Sequence, residues 1–188
     1  MFNSPRPVSI GLLRKAVCLL LALIALWGAA PAMAQNNPSG LPLPRFASTR
    51  STPINVRVGP GTRYEISWIY QKAGVPVEII QEFDTWRRIR DVDGETGWVH
   101  QNLLTGERSG YAAPWDPAAQ VPIMPGKSSD GQPRAILGSR FPVSISECDG
   151  TWCHVSATSH PPEGRPATYS GYVPQADLWG VYPQEVFD

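Results

Sequence analysis

The sequence predicts an all-β chain: two small β units in tandem behind a cleaved N-terminal signal. Three observations predict it. With 20 prolines and 17 glycines in 188 residues, long helices have little room. Apolar residues alternate with polar ones, the period of a pleated strand, instead of recurring every three or four positions. The second half of the chain also repeats, in order, a series of residues from the first half.

The N-terminus comes first. Arg6, Arg14 and Lys15 make a basic start, Ala16 to Trp27 an almost wholly apolar middle, and Ala32-Met33-Ala34 a small-residue end before Gln35. That order marks a secretory signal peptide over residues 1–34, with Gln35 as the expected mature N-terminus. The alternative is an uncleaved anchor, since Ala16 to Ala34 carries no charge. Gly28, Pro31 and the alanines weaken it, because the strongly apolar part is too short to span a bilayer. Past Ala34 there are 13 basic against 16 acidic residues, a net charge of −3. Nucleic-acid binders carry a basic excess or stripe, and none is visible. No second segment is long and apolar enough to span a membrane after the signal is removed. The expected location is periplasmic or secreted.

Residues 35–52 contain Pro, Ser, Asn and Arg without periodicity and read as a flexible leader. Val56-Arg57-Val58, Trp68-Ile69-Tyr70, Val75 to Gln81, Trp86 to Val92 and Thr96 to Val99 then read as short strands. Gly59-Pro60-Gly61, Ala73-Gly74, Asp84-Thr85 and Asp93-Gly94 punctuate them as turns, and Gln101 to Leu104 reads as one closing turn of 3₁₀ helix. Val56, Val58, Val77, Ile79, Ile89 and Val99 are the inward set, each stabilising by about 1.5–3 kcal/mol if fully buried.

The repeat sets the domain organisation. Val75-Pro76-Val77 recurs as Phe141-Pro142-Val143, and a Trp follows nine residues after each second Val, at Trp86 and Trp152. Ile89 matches Val155, Gly97-Trp98-Val99 matches Gly171-Tyr172-Val173, and Leu104 and Gly106 match Leu178 and Gly180. Upstream, Val56 to Gly61 is echoed by Val121 to Gly126, and an insertion through His160 to Gly164 precedes Gly171. Two units are expected, at 53–107 and 113–182, as compact barrels. Gly97 and Gly171, inside strands, are expected at a bend or a close backbone approach.

The stretch Asn55 to Gly61, then Trp86-Arg87-Arg88-Ile89-Arg90, then Gly97-Trp98-Val99-His100 with Leu104, resembles the bacterial SH3-like domain. The resemblance covers about residues 53–106. The second copy departs from it at Pro122-Ile123-Met124 and in its insertion, and resembles a degenerate copy. What the resemblance implies is a five-stranded barrel with a binding or targeting role in the cell envelope, and no catalytic residues or cofactor. The expected partner is peptidoglycan or an envelope protein. A structural protein whose paired barrels form a protein–protein interface is the other reading.

With Cys18 in the signal, Cys148 and Cys153 remain as an even pair in an exported chain. Asp149 to Trp152 is a turn-prone hairpin loop, so a Cys148–Cys153 disulfide is expected. The aligned positions in the first copy are Glu82 and Arg87, an opposite-charge pair across the same turn. A zinc set of Cys148, Cys153, His154 and His160 is disfavoured, because adjacent strand residues such as Cys153 and His154 point to opposite faces. His100 is expected to cap the closing turn. Trp86 lies three positions before the inward Ile89, hence on the outer face. With Tyr64 and Tyr70 it is the candidate set of ligand anchors, forming an aromatic groove of the kind that accepts peptides. Arg57, Arg87, Arg88 and Arg90 lie among Glu78, Glu82, Asp84 and Asp91 and read as a self-paired strand surface.

Overall fold

The computed structural model describes residues 37–188, which form one compact unit. The expected signal over 1–34 and its cleavage site lie outside the described residues. Nearly all the regular structure is β, and no helix among the described residues is long and apolar enough to cross a membrane.

The first lobe contains β1 (Arg45–Thr49), β2 (Ile54–Arg57), β3 (Ile66–Tyr70), β4 (Pro76–Phe83), β5 (Trp86–Arg90), β6 (Thr96–His100), a 3₁₀ turn at Gln101–Leu103, and β7 (Leu104–Thr105). They pair in the order β3-β2-β6-β5-β4-β1-β7. Ile54 and Val56 near one end of this path share a core with Val77, Ile79, Ile89, Val99, Leu104 and Ala47. A sheet whose two ends bury residues in one core must curl around it, as the intrinsic strand twist allows. Its hydrogen-bonded path nevertheless stays open from β3 to β7, seven strands where the resemblance implied a five-stranded barrel.

The second lobe contains β8 (Arg108–Ala112), β9 (Gln120–Ile123), β10 (Ala135–Gly138), β11 (Pro142–Asp149), β12 (Trp152–Ser159), β13 (Ala167–Pro174), a 3₁₀ turn at Gln175–Asp177, β14 (Leu178–Trp179) and β15 (Val186–Phe187). Its main sheet runs β13-β12-β11-β8-β14, and a Met124–Tyr172 bridge attaches the β9–β10 hairpin to β13. The strand order of the first lobe therefore recurs element by element. Both long hairpins even carry a register shift at the same place, between Ile79 and Gln81 and between Ile145 and Glu147. The insertion lengthens the β12–β13 hairpin, whose strands run eight residues each against five in β5 and β6.

Three expectations need correcting. The supposed flexible leader holds β1, which pairs with β4 on one side and β7 on the other. No alternation betrays it because both of its faces are covered: Ala47 enters the first core, while Phe46 packs against Trp179 and Tyr182 of the second lobe. Val58 is not inward but 62% exposed, because a register shift at Val56/Arg57 ends the alternation, and Ile54 takes the buried place. Finally, the upstream echo is displaced by two residues. Gly97 backs onto Val56 and Gly171 onto Ile123, so Val56 corresponds to Ile123 and not to Val121. A shift of two keeps every strand residue on its face, so the sequence pattern cannot reveal it.

The two glycines do mark close approaches. A Cβ on Gly97 would lie 3.2 Å from the Arg57 carbonyl oxygen as well as against Val56, and one on Gly171 would meet the Met124 carbonyl oxygen. The lobes meet through β1, β4 and β8. The Ser48 and Ser109 hydroxyls are 2.6 Å apart, Arg108 Nη1 donates to the Phe46 carbonyl at 3.2 Å, and the Tyr182 hydroxyl donates to Glu78 Oε1 at 2.8 Å.

Candidate binding site

Trp86 opens β5, whose alternation turns Arg87 and Ile89 inward and Trp86 and Arg88 outward. It stands opposite His100 in the β5–β6 register, with the two rings edge-on at 5.5 Å. Together with Pro53, Asn55, Arg57, Thr62 and Leu103 they line a hollow of about 180 Å³. His100 caps the 3₁₀ turn as expected, its Nδ1 accepting from the Asn102 backbone N–H at 3.4 Å. Arg57 Nη1 donates to the Tyr64 carbonyl at 2.6 Å and so ties the 58–65 loop to the rim of the hollow.

Tyr64 and Tyr70 do not join Trp86 in one groove. The Tyr64 ring lies on Gly59, where an added Cβ would come within 2.6 Å of it, and the Arg63 guanidinium sits 5.1 Å from its centroid. Its part is to shape the loop. Tyr70 packs edge-on against Trp68 at 6.1 Å, on the inner face of β3. Burial pushes its phenol well above the usual range, and its hydroxyl reaches Asp91 Oδ2 at 3.4 Å. It lines a different cleft, of about 390 Å³, shared with Tyr111 and Arg140 of the second lobe. Tyr70 and Trp86 are on opposite faces of the sheet, so no single groove can hold both.

The Glu82–Arg87 and Cys148–Cys153 pairs occupy equivalent register positions across the two hairpins. The first is an ion pair at 3.2 Å with both side chains almost wholly enclosed, and the second is a disulfide with Cα atoms 4.1 Å apart. The disulfide takes both thiols out of the weighed zinc set. His154 lies on the outer face instead, with Nδ1 2.9 Å from Ser146 Oγ.

Residues 50–106 match the family model of the bacterial SH3 domain. The Trp86 hollow lies wholly inside this bacterial SH3 segment, while β1 and the second lobe lie outside it. A search of curated proteins found no match. Among solved structures, the chain is similar to NlpC2 from Trichomonas vaginalis, with 13% identity, a TM-score of 0.29, and coverage of 72% of this chain and 48% of that one. For NlpC1 from Trichomonas vaginalis the values are 14%, 0.29, 79% and 50%. The chain spans about half the length of each. Likenesses this slight bear on neither fold nor activity.

Sequence reasoning missed Arg57, Thr62, His100 and Leu103 as neighbours of Trp86. A period-two pattern gives the face a residue points to but not which residue of another strand it meets. The register of β5 against β6, and the loop that returns Thr62, are what bring them together.

Proposed function

We propose that this protein is a non-enzymatic binding module exported to the bacterial cell envelope, and that it recognises peptidoglycan through the Trp86 hollow of its first lobe. The observation that carries this reading is an outward tryptophan over a hollow rimmed by a loop, inside a segment matching the bacterial SH3 domain. Aromatic anchors of this kind supply large contact area at small entropic cost, and they dominate binding energy. The recurring strand order supports reading residues 108–187 as a second, divergent copy of the same domain. A Ser146–His154 contact supports no hydrolase here. Ser146 sits at the β11 bulge, and its hydroxyl also donates to the His154 carbonyl at 3.3 Å, a local strand contact.

The test compares Trp86→Ala with Trp152→Ala for thermal unfolding and for retention on isolated peptidoglycan sacculi. The expected outcome is that Trp86→Ala stays folded and loses retention, while Trp152→Ala keeps it. A folded Trp86→Ala that binds like the parent overturns the reading. One observation favours an assembly role instead. The lobes are joined through the Phe46, Trp179 and Tyr182 cluster and the Arg108 bond to the Phe46 carbonyl, a rigid frame suited to presenting an interface.

A further inference from the structure

The outer face of the first sheet holds a row of three side chains brought together from three strands. Arg57 of β2 stands opposite Trp98 of β6, and Trp98 stands opposite Arg88 of β5. The neighbours Val56, Gly97, Val99, Arg87 and Ile89 are buried, and only Val58, past the β2 bulge, is exposed, so the row faces outward. Residues directly opposed in antiparallel strands have Cβ atoms about 5 Å apart, so two guanidinium stems flank one indole. Trp86 and His100 form the next row along.

The two arginines stand out by what they lack. Five arginines of the described residues are buried or half-buried: Arg45, Arg57, Arg87, Arg88 and Arg108. Arg45 and Arg87 converge on Glu82, and Arg108 pairs with Glu185. Arg57 instead gives one hydrogen bond to a backbone carbonyl, and Arg88 gives one to Thr96 Oγ1 at 3.2 Å. Neither meets a carboxylate among the described residues. A guanidinium carries five N–H donors in a planar fork that fits a carboxylate by two parallel bonds. Most of that capacity is unused here, on both sides of an aromatic platform.

The second lobe supplies an internal control. Its equivalent row is Met124, buried just past β9, bridged to Tyr172 of β13, which stands opposite His154 of β12. The nearby cation, Lys127, lies 5.4 Å from the Tyr172 ring centroid and is neutralised by Asp149 at 2.9 Å. An architecture that recurs strand for strand therefore does not require the two free guanidiniums. They belong to one lobe only.

We infer that the Arg57–Trp98–Arg88 row is a carboxylate-recognition site, which takes a peptide carboxylate of the ligand while its flat amide or ring lies on the indole. This deepens the reading above and rests on it for the cell wall as the source of that carboxylate. The experiment measures retention of the mature chain on native sacculi and on sacculi whose carboxylates have been converted to amides. In parallel, an acetylated tripeptide with a free C-terminal carboxylate, and its C-terminal amide, are titrated against the Trp98 indole N–H resonance.

The expected result is that amidation and the Arg57→Gln/Arg88→Gln double variant each weaken retention about tenfold or more, the scale of lost hydrogen bonds to a charged group. His154→Gln, the control in the second lobe, should bind like the parent. Equal retention on native and amidated sacculi overturns the carboxylate site while leaving peptidoglycan as the ligand. If sacculi are not retained but only the free-carboxylate peptide shifts Trp98, the site stands and the peptidoglycan reading falls. If sacculi are not retained and neither peptide shifts it, both fall. Should the double variant melt below the parent, the ligand-side amidation still decides.

Discussion

Glu82 has its side chain wholly enclosed, yet it is held as a carboxylate. Burial pushes its carboxyl up, but hydrogen bonds from Ser39 and Arg45 and the charge of Arg87 outweigh that and hold it below the usual range. A group whose folded pKa is depressed adds stability above its unfolded value, near pH 4.3 for a glutamate, and loses it as pH falls through the folded pKa. Denaturant unfolding should therefore show the parent losing stability below about pH 4, with Glu82→Gln showing a flatter acid limb. At pH 7 that variant leaves Arg87 buried without its counter-charge, at a cost of about 3 kcal/mol. A variant as stable as the parent at pH 7 would show that the bonds of Arg87 to the Asp84 and Trp86 carbonyls and to Gln101 suffice. At the other extreme of side-chain size, Gly97→Ala forces a methyl group against Val56 and the Arg57 carbonyl. It should cost about 1–3 kcal/mol, as overpacked cores do, read as a lowered midpoint of chemical unfolding.

At the scale of elements, β1 decides what counts as the first lobe. The family match begins at Arg50, just after β1 ends. A chain beginning at Arg50 would leave β4 and β7 with open edges and remove Ala47 from the core. It should give collapsed amide dispersion in NMR spectra, whereas a chain beginning at Asn37 should give dispersed signals. Much of the rest was legible in the sequence. β2, β5 and β6 alternate cleanly because one face meets the core and the other water, and the disulfide follows from hairpin spacing. β1 was hidden by being covered on both faces, and Val58 was misplaced because a bulge leaves no mark on a period-two pattern. The candidate site was half legible. The outward direction of Trp86 follows from its spacing to Ile89, but its neighbours depend on register. Tyr70 and Trp86 lie near each other in sequence, but proximity in sequence does not tell the inner face of a curled sheet from the outer one.

At the scale of the whole molecule, the two lobes share side chains rather than merely touching. Phe46 is 8% exposed and belongs by sequence to the first lobe, but it contacts two aromatic rings of the second. Phe46→Ala should therefore cost about 3 kcal/mol or more, in the range of large-to-small core changes. Calorimetry should show one unfolding transition for the parent, and two would mean that the shared cluster does not couple the lobes. Tyr182→Phe should cost only about 1 kcal/mol, since Glu78 keeps its hydrogen bonds from Arg90. The paired hairpins, one fastened by charge and the other by a covalent link, have a further consequence. Acid weakens the first fastening and leaves the second intact, whereas a reductant opens the second and leaves the first. A proton and an electron donor thus act separately on pairs at equivalent register positions of the two lobes. The two pairs share no partner, so their contributions should add to within about 0.5 kcal/mol, which a cycle of Glu82→Gln and the Cys148→Ala/Cys153→Ala pair would measure.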